Sequence, residues 1–325
     1  MELRRYLINR TFQIIITFFF IMTLLFVLFR IAPGDPSSMI IDPAMTPEDV
    51  ASIRQQFGLD RPLYVQYLIY LINFFKGDFG ISFYYGEPVL EVIKSVLPNT
   101  LLLFTSATIL SALAGISWGK YAAWKKGSAS DVALTLTGLI AHTLFLPWFA
   151  LIMIWIFSYK LELFPLNGMI SPEIWLDPGC GFWAKSLDVL YHLFLPLLVL
   201  FIIHFGGFLL VMRSSMLEVV KEDYILTARA KGLTDREVRN HHAAPNAALP
   251  VVTNIGLSLA FSINGGALTE TVFSWPGLGR ELVNAVSQFD YPLAQMSFLI
   301  ISALVLVANL VVDVLYAYLD PRIRY

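Results

Sequence analysis

The sequence predicts an all-α, polytopic membrane protein with about six transmembrane helices, on the strength of three observations. First, 57% of its 325 residues are hydrophobic and 14% are charged, with a mean hydropathy of +0.68, whereas a soluble domain carries about 25% charged residues. Second, several apolar runs approach the ~20 residues that cross a bilayer as a helix. Third, 14 of the 22 lysines and arginines lie in four places: the first ten residues, the loop of Lys120, Lys125 and Lys126, the segment Arg213–Pro250, and the C-terminus. Short basic loops are retained on the cytoplasmic side, so both termini and 213–250 are expected to face the cytoplasm.

Taken in order, Arg4, Arg5 and Arg10 precede an uncharged run from Thr11 to Phe29. That run is longer than the ~7–15 residue core of a cleavable signal peptide. It is followed by Ile31-Ala32-Pro33-Gly34-Asp35-Pro36 rather than a small-x-small site, so an uncleaved first span is expected. Pro33 to Pro98 reads as an outward loop. Within it, Thr46-Pro47-Glu48-Asp49 suggests a capped helix with proline at the favoured first position. The aromatic stretch Val65–Phe75 suits a helix lying along the membrane surface.

A second span is expected from Pro98 or Asn99 to about Lys120, and a third over Val132–Phe157, interrupted at Pro147. Trp175 and Trp183 mark the next loop as interfacial. The fourth span covers about Val189–Met212. The fifth covers Val251 to about Val272, with a soft spot at Asn264-Gly265-Gly266. Phe273–Tyr291 forms the last outward loop, and Pro292–Leu319 the sixth span. The expected division is therefore 1–98, a span plus an extracytoplasmic loop, and 99–325, a transmembrane domain containing the segment 213–250.

Arg213–Pro250 is polar yet amphipathic. Leu217, Val220, Tyr224 and Ala228 recur at helical steps. Gly232 supplies a stop. Thr234 and Glu237 stand in the S/T-x-x-E arrangement of a reciprocal cap, and Pro245 limits the second helix. Helix, glycine break and capped short helix make a folded knob, whose Arg229, Lys231, Asp235, Arg236 and Glu237 alternate in sign, as suits docking to a protein surface.

Several chemistries are excluded. Gly115-Ile-Ser-Trp-Gly119-Lys120 lacks the spacing and the Ser/Thr of a phosphate-binding loop and reads as close-packing glycines. His241 and His242 are adjacent and point to different sides of a helix, so they share no metal. One cysteine, Cys180, excludes a disulfide framework and any multi-cysteine metal site. Too little net positive charge and close tethering to the bilayer disfavour a nucleic-acid-binding role for the segment 213–250. Polar groups at membrane depth remain as path candidates: His142, His204, Asn264, Gly265 and Gly266. Asp313 reads as a structural ion-pair partner near the cytoplasmic end. An ion-coupled secondary transporter is the alternative class, though it would want carboxylates in the middle of several spans.

The run Ala228-Arg229-Ala230-Lys231-Gly232-Leu233-Thr234, followed by Ala243-Ala244-Pro245-Asn246-Ala247, resembles the "EAA" signature of ABC importer permeases. Arg213-Ser-Ser-Met-Leu-Glu218-Val, Asp223-Tyr224, Pro33-Gly-Asp-Pro36, Gly77-Asp-Phe-Gly80 and the ending Asp320-Pro-Arg-Ile-Arg-Tyr325 resemble the dipeptide/oligopeptide permease branch in particular. Leu226-Thr227 departs from the first two positions of the triplet, and the His241-His242-Ala243-Ala244 run is unusual for the family. The resemblance implies a multi-pass permease of the inner cell membrane that delivers no catalysis itself. ATP and magnesium would sit on two separate ATP-binding cassette subunits, and Ala228, Arg229, Ala230, Lys231, Gly232, Leu233, Thr234, Asp235 and Glu237 would dock into a cleft of an ATPase subunit. It also implies a second homologous permease subunit, an extracytoplasmic substrate-binding protein, membrane lipid around the spans, and no cofactor in this chain. Peptides are the implied cargo, with oligosaccharides or nickel complexes as alternatives in related systems.

Overall fold

The computed structural model describes residues 2–31 and 61–319. The expected cap at Thr46-Pro47, the Pro33–Pro36 motif and the Asp320–Tyr325 ending lie outside the described residues, as do the side chains of 259–265. Among the described residues the chain is helical, with one isolated antiparallel bridge between Ile81 and Pro88. Four helices among the described residues are long and apolar enough to cross a membrane: α1 (Glu2–Ile31), α3 (Val89–Trp124), α7 (Phe182–Val219) and α13 (Tyr291–Leu319). A fifth crossing is available from α4 (Ala129–Thr143) together with α5 (Leu146–Met153), which continues in wider π-type turns through Ile154–Lys160. A further helix, α11 (Leu249–Val272), has 24 residues, about 36 Å at 1.5 Å per residue.

The expected third span is not one rod. α4 and α5 meet at a bend of 101°, at Leu144-Phe145 just ahead of Pro147. Both Leu144 and Phe145 take extended backbone, and Pro147 opens α5 in the first turn, where its missing N–H costs nothing. The second span also begins earlier than expected. α3 starts at Val89, with Pro98 inside the helix. Val89, Val92, Ile93 and Val96 are buried with Met22 and Leu25 of α1 and Leu293 of α13, and that burial holds the extra turns in place despite the proline.

α2 (Leu63–Lys76) does not lie as the aromatic composition suggested. Its rings pack lengthwise and antiparallel against α1: Phe26 meets Tyr67 at 5.2 Å and Tyr70 at 5.7 Å, Phe19 meets Phe75 at 6.1 Å and Phe18 meets Phe74 at 5.7 Å between centroids. The Tyr67 and Thr23 hydroxyls are 2.6 Å apart. The aromatic stripe thus finds protein before it finds an interface. On its other side α1 runs antiparallel to α13, from an Arg10–Asp313 ion pair at one end to Phe29 against Tyr291 at the other. Asp313 is the structural pair member expected, with Arg10 as its base.

Helices in lipid gain little from hydrophobic association and pack where small residues let backbones approach. The α3–α7 crossing is built this way. A Cβ at Gly115 would stand 2.5 Å from Phe208 Cβ, and one at Gly119 would stand 2.6 Å from the Leu209 carbonyl. At the α4–α7 crossing, a Cβ on Gly206 would lie 2.3 Å from the Gly138 carbonyl oxygen. Gly115 and Gly119 are therefore close-packing glycines.

Candidate functional site

The chain leaves α7 into a compact knob. α7 ends at Val219, Val220–Glu222 form a turn, and α8 runs Asp223–Ala230. Asp223 puts a carboxylate in the first turn of α8, where it favours the N-terminal end of the helix dipole. The break at Val220–Glu222 corrects the single helix expected from Leu217, Val220, Tyr224 and Ala228. Glu222 takes an extended conformation (ψ 146°) and resets the phase. Ile225 and Ala228 then face inward, while Tyr224 is exposed.

α8 stops at Lys231–Leu233. Gly232 has φ +80°, a left-handed conformation that side chains with a Cβ adopt only with strain. A Cβ there would meet nothing within 4 Å, so the requirement is for the backbone angle and not for space. Its N–H donates to the Arg229 carbonyl at 2.9 Å. The turn after it is closed by a reciprocal cap. Thr234 N and Oγ1 donate to Glu237 Oε2 at 2.8 and 2.7 Å, and Glu237 N donates to Thr234 Oγ1 at 3.3 Å. Those bonds from Thr234 hold the Glu237 carboxyl below its ordinary value.

From α9 (Asp235–Glu237) the helix widens into π-type turns over Val238–Ala243 and resumes as α10 (Ala244–Ala247). Pro245 therefore does not end the second helix as expected. After the wide turns it falls in the first turn of α10, where its missing N–H is not needed.

The knob is seated on helix ends. Ile225, Ala228, Val238, Ala243 and Ala247 form one buried cluster with Met212 and Met216 of α7, Ala112 and Ala123 of α3, and Val251 of α11. The Arg229 guanidinium lies over the Trp124 ring at 5.4 Å, and Asn246 Nδ2 donates to the Tyr224 hydroxyl at 2.9 Å. Of the residues singled out in sequence, Ala228 is buried and Leu233 half-buried. Arg229, Ala230, Lys231, Gly232, Thr234, Asp235 and Glu237 form the exposed outer surface, with Leu226 and Thr227 beside them. The outward face is polar and of mixed sign, and the inward face is apolar. Such an arrangement can transmit displacement of the outer face to three helices at once.

The path candidates separate into two places. His142, exposed, and His204, half-buried, belong to the α4–α7 crossing, where the His142 ring flanks Gly207. Gly266 is buried against the Phe104 ring of α3, 2.4 Å from where its Cβ would stand, and so acts as a packing glycine. Asn264 and Gly265 lie on the α11 backbone, with side-chain surroundings outside the described residues. Among the described residues, no three His, Cys, Asp or Glu side chains are grouped to hold a metal ion.

Sequence reasoning missed the organised corner at the far end of α11. Fully buried Glu270 accepts from Thr100 Oγ1 at 2.7 Å and from the Arg280 N–H at 2.9 Å. Thr100 Oγ1 in turn accepts from the Leu278 N–H at 2.7 Å, at the start of α12 (Leu278–Ser287). Trp275, with no exposed surface, donates its indole N–H to the Asn99 carbonyl at 3.0 Å, and Asn99 Nδ2 donates to the Pro276 carbonyl at 2.8 Å. The one signal that could have found this corner is Glu270 itself, a carboxylate within the apolar stretch 251–272. Its side-chain partner, Thr100, lies 170 residues away in the chain and carries no local signal.

Two family models match nearly the whole chain between them. Residues 111–325 match the binding-protein-dependent transport system inner membrane component, and residues 3–104 match the N-terminal part of such membrane components. The chain is 39% identical to the oligopeptide transport system permease protein AppB of Bacillus subtilis over 98% of this chain and 99% of that protein. It is 39% identical to the dipeptide transport system permease protein DppB of Escherichia coli K12 over 99% of both. It is 37% identical to the di/tripeptide transport system permease protein DppB of Pseudomonas aeruginosa, with 98% of both chains covered.

Proposed function

Because this chain belongs to the family of binding-protein-dependent transport system inner membrane components, we propose that it is a membrane-spanning permease subunit of an ATP-driven peptide importer. The observation that carries the reading is similarity along the full length to permeases named for di-, tri- and oligopeptide transport. Six crossings follow if the bent α4–α5 pair counts once and α11 is added to the four long spans. The concentration of basic residues supports an orientation with both termini and the knob in the cytoplasm.

The mechanism is rigid-body transmission between two states. One of the two ATP-binding cassette subunits engages the exposed face from Arg229 to Glu237, and closure of the pair on ATP displaces the knob. Ile225, Ala228 and Val238 are packed on Met212 and Met216, so displacement of the knob tilts α7 and, through Ala123 and Val251, α3 and α11. Access to a path shared with a second homologous permease subunit then alternates between the two membrane faces, and an extracytoplasmic binding protein delivers the peptide. The chain supplies no ATP hydrolysis of its own. Thr234 and Glu237 keep the outer helix stiff, and Gly232 sets its angle to α8.

Expression with its ATP-binding and second permease subunits, purification and reconstitution into vesicles with the binding protein test this reading. ATP inside the vesicles is expected to drive peptide accumulation. Accumulation driven by an ion gradient without ATP, or purification free of nucleotide-binding subunits, would overturn it.

A further inference from the structure

Asp131 and Arg213 form an ion pair where three helices meet. Asp131 lies in the first turn of α4 with 3% of its side chain exposed, and Arg213 lies near the end of α7 with 24% exposed. Arg213 Nε donates to Asp131 Oδ1 at 2.6 Å and Nη2 donates to Oδ2 at 2.9 Å. Two parallel bonds of this kind fix direction as well as distance. Asp131 Oδ2 also accepts from the Gly127 N–H at 3.0 Å, and Ser128 Oγ accepts from the Asp131 N–H at 3.3 Å, so the carboxylate is built into the start of α4. The third helix, α3, packs on α7 at this level: a Cβ on Gly119 would stand 3.2 Å from the Arg213 backbone nitrogen.

Position along α7 gives the pair its meaning. Met212 and Met216, on either side of Arg213, form the seat of Ile225 and Ala228 in the knob. Seven residues back along α7 from Arg213 is Gly206, and seven residues on along α4 from Asp131 is Gly138, the two glycines in backbone contact. α4 and α7 are thus tied at two points about 10 Å apart at 1.5 Å per residue. One tie is steric and one is ionic. Apolar surfaces slide past each other at little cost, whereas separating a shielded bidentate pair strands two charges. α4 must therefore follow the end of α7 that carries the knob.

Resting on the permease reading above, we propose that Arg213 and Asp131 are positioning residues that pass movement of the knob to α4 and, through its 101° bend, to Leu146–Lys160. Neither residue touches cargo or nucleotide in this account. The pair converts a tilt of α7 into a joint motion of α7 and the bent helix pair.

The test uses the full reconstituted complex carrying Arg213→Gln, Asp131→Asn, Arg213→Lys, or the exchange Asp131→Arg with Arg213→Asp. Assembly, ATP hydrolysis and peptide taken up per ATP are read separately. Arg213→Gln and Asp131→Asn are expected to assemble and hydrolyse ATP while uptake per ATP falls about tenfold, within the 5–150-fold span of ordinary coupling energies. Arg213→Lys keeps charge but loses the fork, and should fall between; the exchange should recover part of the loss. Unchanged uptake per ATP in Arg213→Gln would overturn the proposal while leaving the permease reading intact. Joint loss of assembly and hydrolysis, unrelieved by the exchange, would overturn it by making the pair merely structural. Absence of ATP-driven uptake in the unsubstituted complex would overturn the permease reading itself.

Discussion

Thr234 and Glu237 each satisfy the backbone N–H of the other, at 2.8 Å into the Glu237 carboxylate and 3.3 Å into the Thr234 hydroxyl. The cap is exposed and receives no help from burial, so its strength depends on these bonds and their charge. Thr234→Ala removes the hydroxyl partner and is expected to weaken the short helix by about 1 kcal/mol, the usual cost of losing such a cap. Hydrogen exchange of the amides at 235–243 should accelerate severalfold, with α7 unaffected.

The same box carries a pH dependence. Bonds from Thr234 lower the Glu237 carboxyl from its ordinary value of 4.5. A carboxyl lowered in the folded state adds stability that is fully present above 4.5 and is lost as pH falls through the lowered value. Local protection at 235–238, corrected for intrinsic exchange, should therefore be flat at neutral pH and decline in acid. Glu237→Gln should abolish the decline, and a decline of equal size in that variant would remove the box as its cause.

Close approach at Gly206 makes a different forecast. A leucine there drives its Cβ into the Gly138 carbonyl, 2.3 Å away, and toward the His142 backbone nitrogen at 2.8 Å. Overpacking of this kind costs about 1–3 kcal/mol when surroundings can shift, and two helix backbones have little room to do so. Gly206→Leu is expected to lower the thermal midpoint in detergent and reduce assembled complex, whereas Gly232→Ala, with open space around it, should leave assembly unchanged.

Glu270 holds the far corner. Glu270→Ala leaves the buried Thr100 hydroxyl and the Arg280 N–H without an acceptor, at about 1–3 kcal/mol for each stranded group. Glu270→Gln keeps one acceptor oxygen and should destabilise less. Thermal unfolding of the two variants in detergent checks the order, and equal midpoints would contradict the assigned role.

Local chemistry was readable in the chain, and distant pairing was not. The Thr234–Glu237 cap and the left-handed Gly232 depend on neighbours three residues away or fewer, and the structure holds both. The turn at Val220–Glu222 escaped notice because Val220 and Tyr224 keep a helical step across it, and only burial of Ile225 reveals the change of phase. Pro98 and Pro245 read as boundaries and lie within helical stretches, since tertiary burial and wide turns accommodate a missing N–H. Aromatic composition placed Val65–Phe75 at an interface, whereas the face those rings cover belongs to α1. Arg213 and Asp131 are 82 residues apart, and neither carries a mark of the other.

The account rests on the knob acting as a rigid lever whose angle is set at Gly232. In a complex reconstituted with its ATP-binding subunits and binding protein, Gly232→Val tests this directly, because a β-branched residue at φ +80° strains its own backbone by about 1–2 kcal/mol while its Cβ stands in open space. Normal membrane insertion and sustained ATP hydrolysis are expected, with peptide uptake per ATP strongly reduced. Uptake per ATP equal to that of the unsubstituted complex would contradict it.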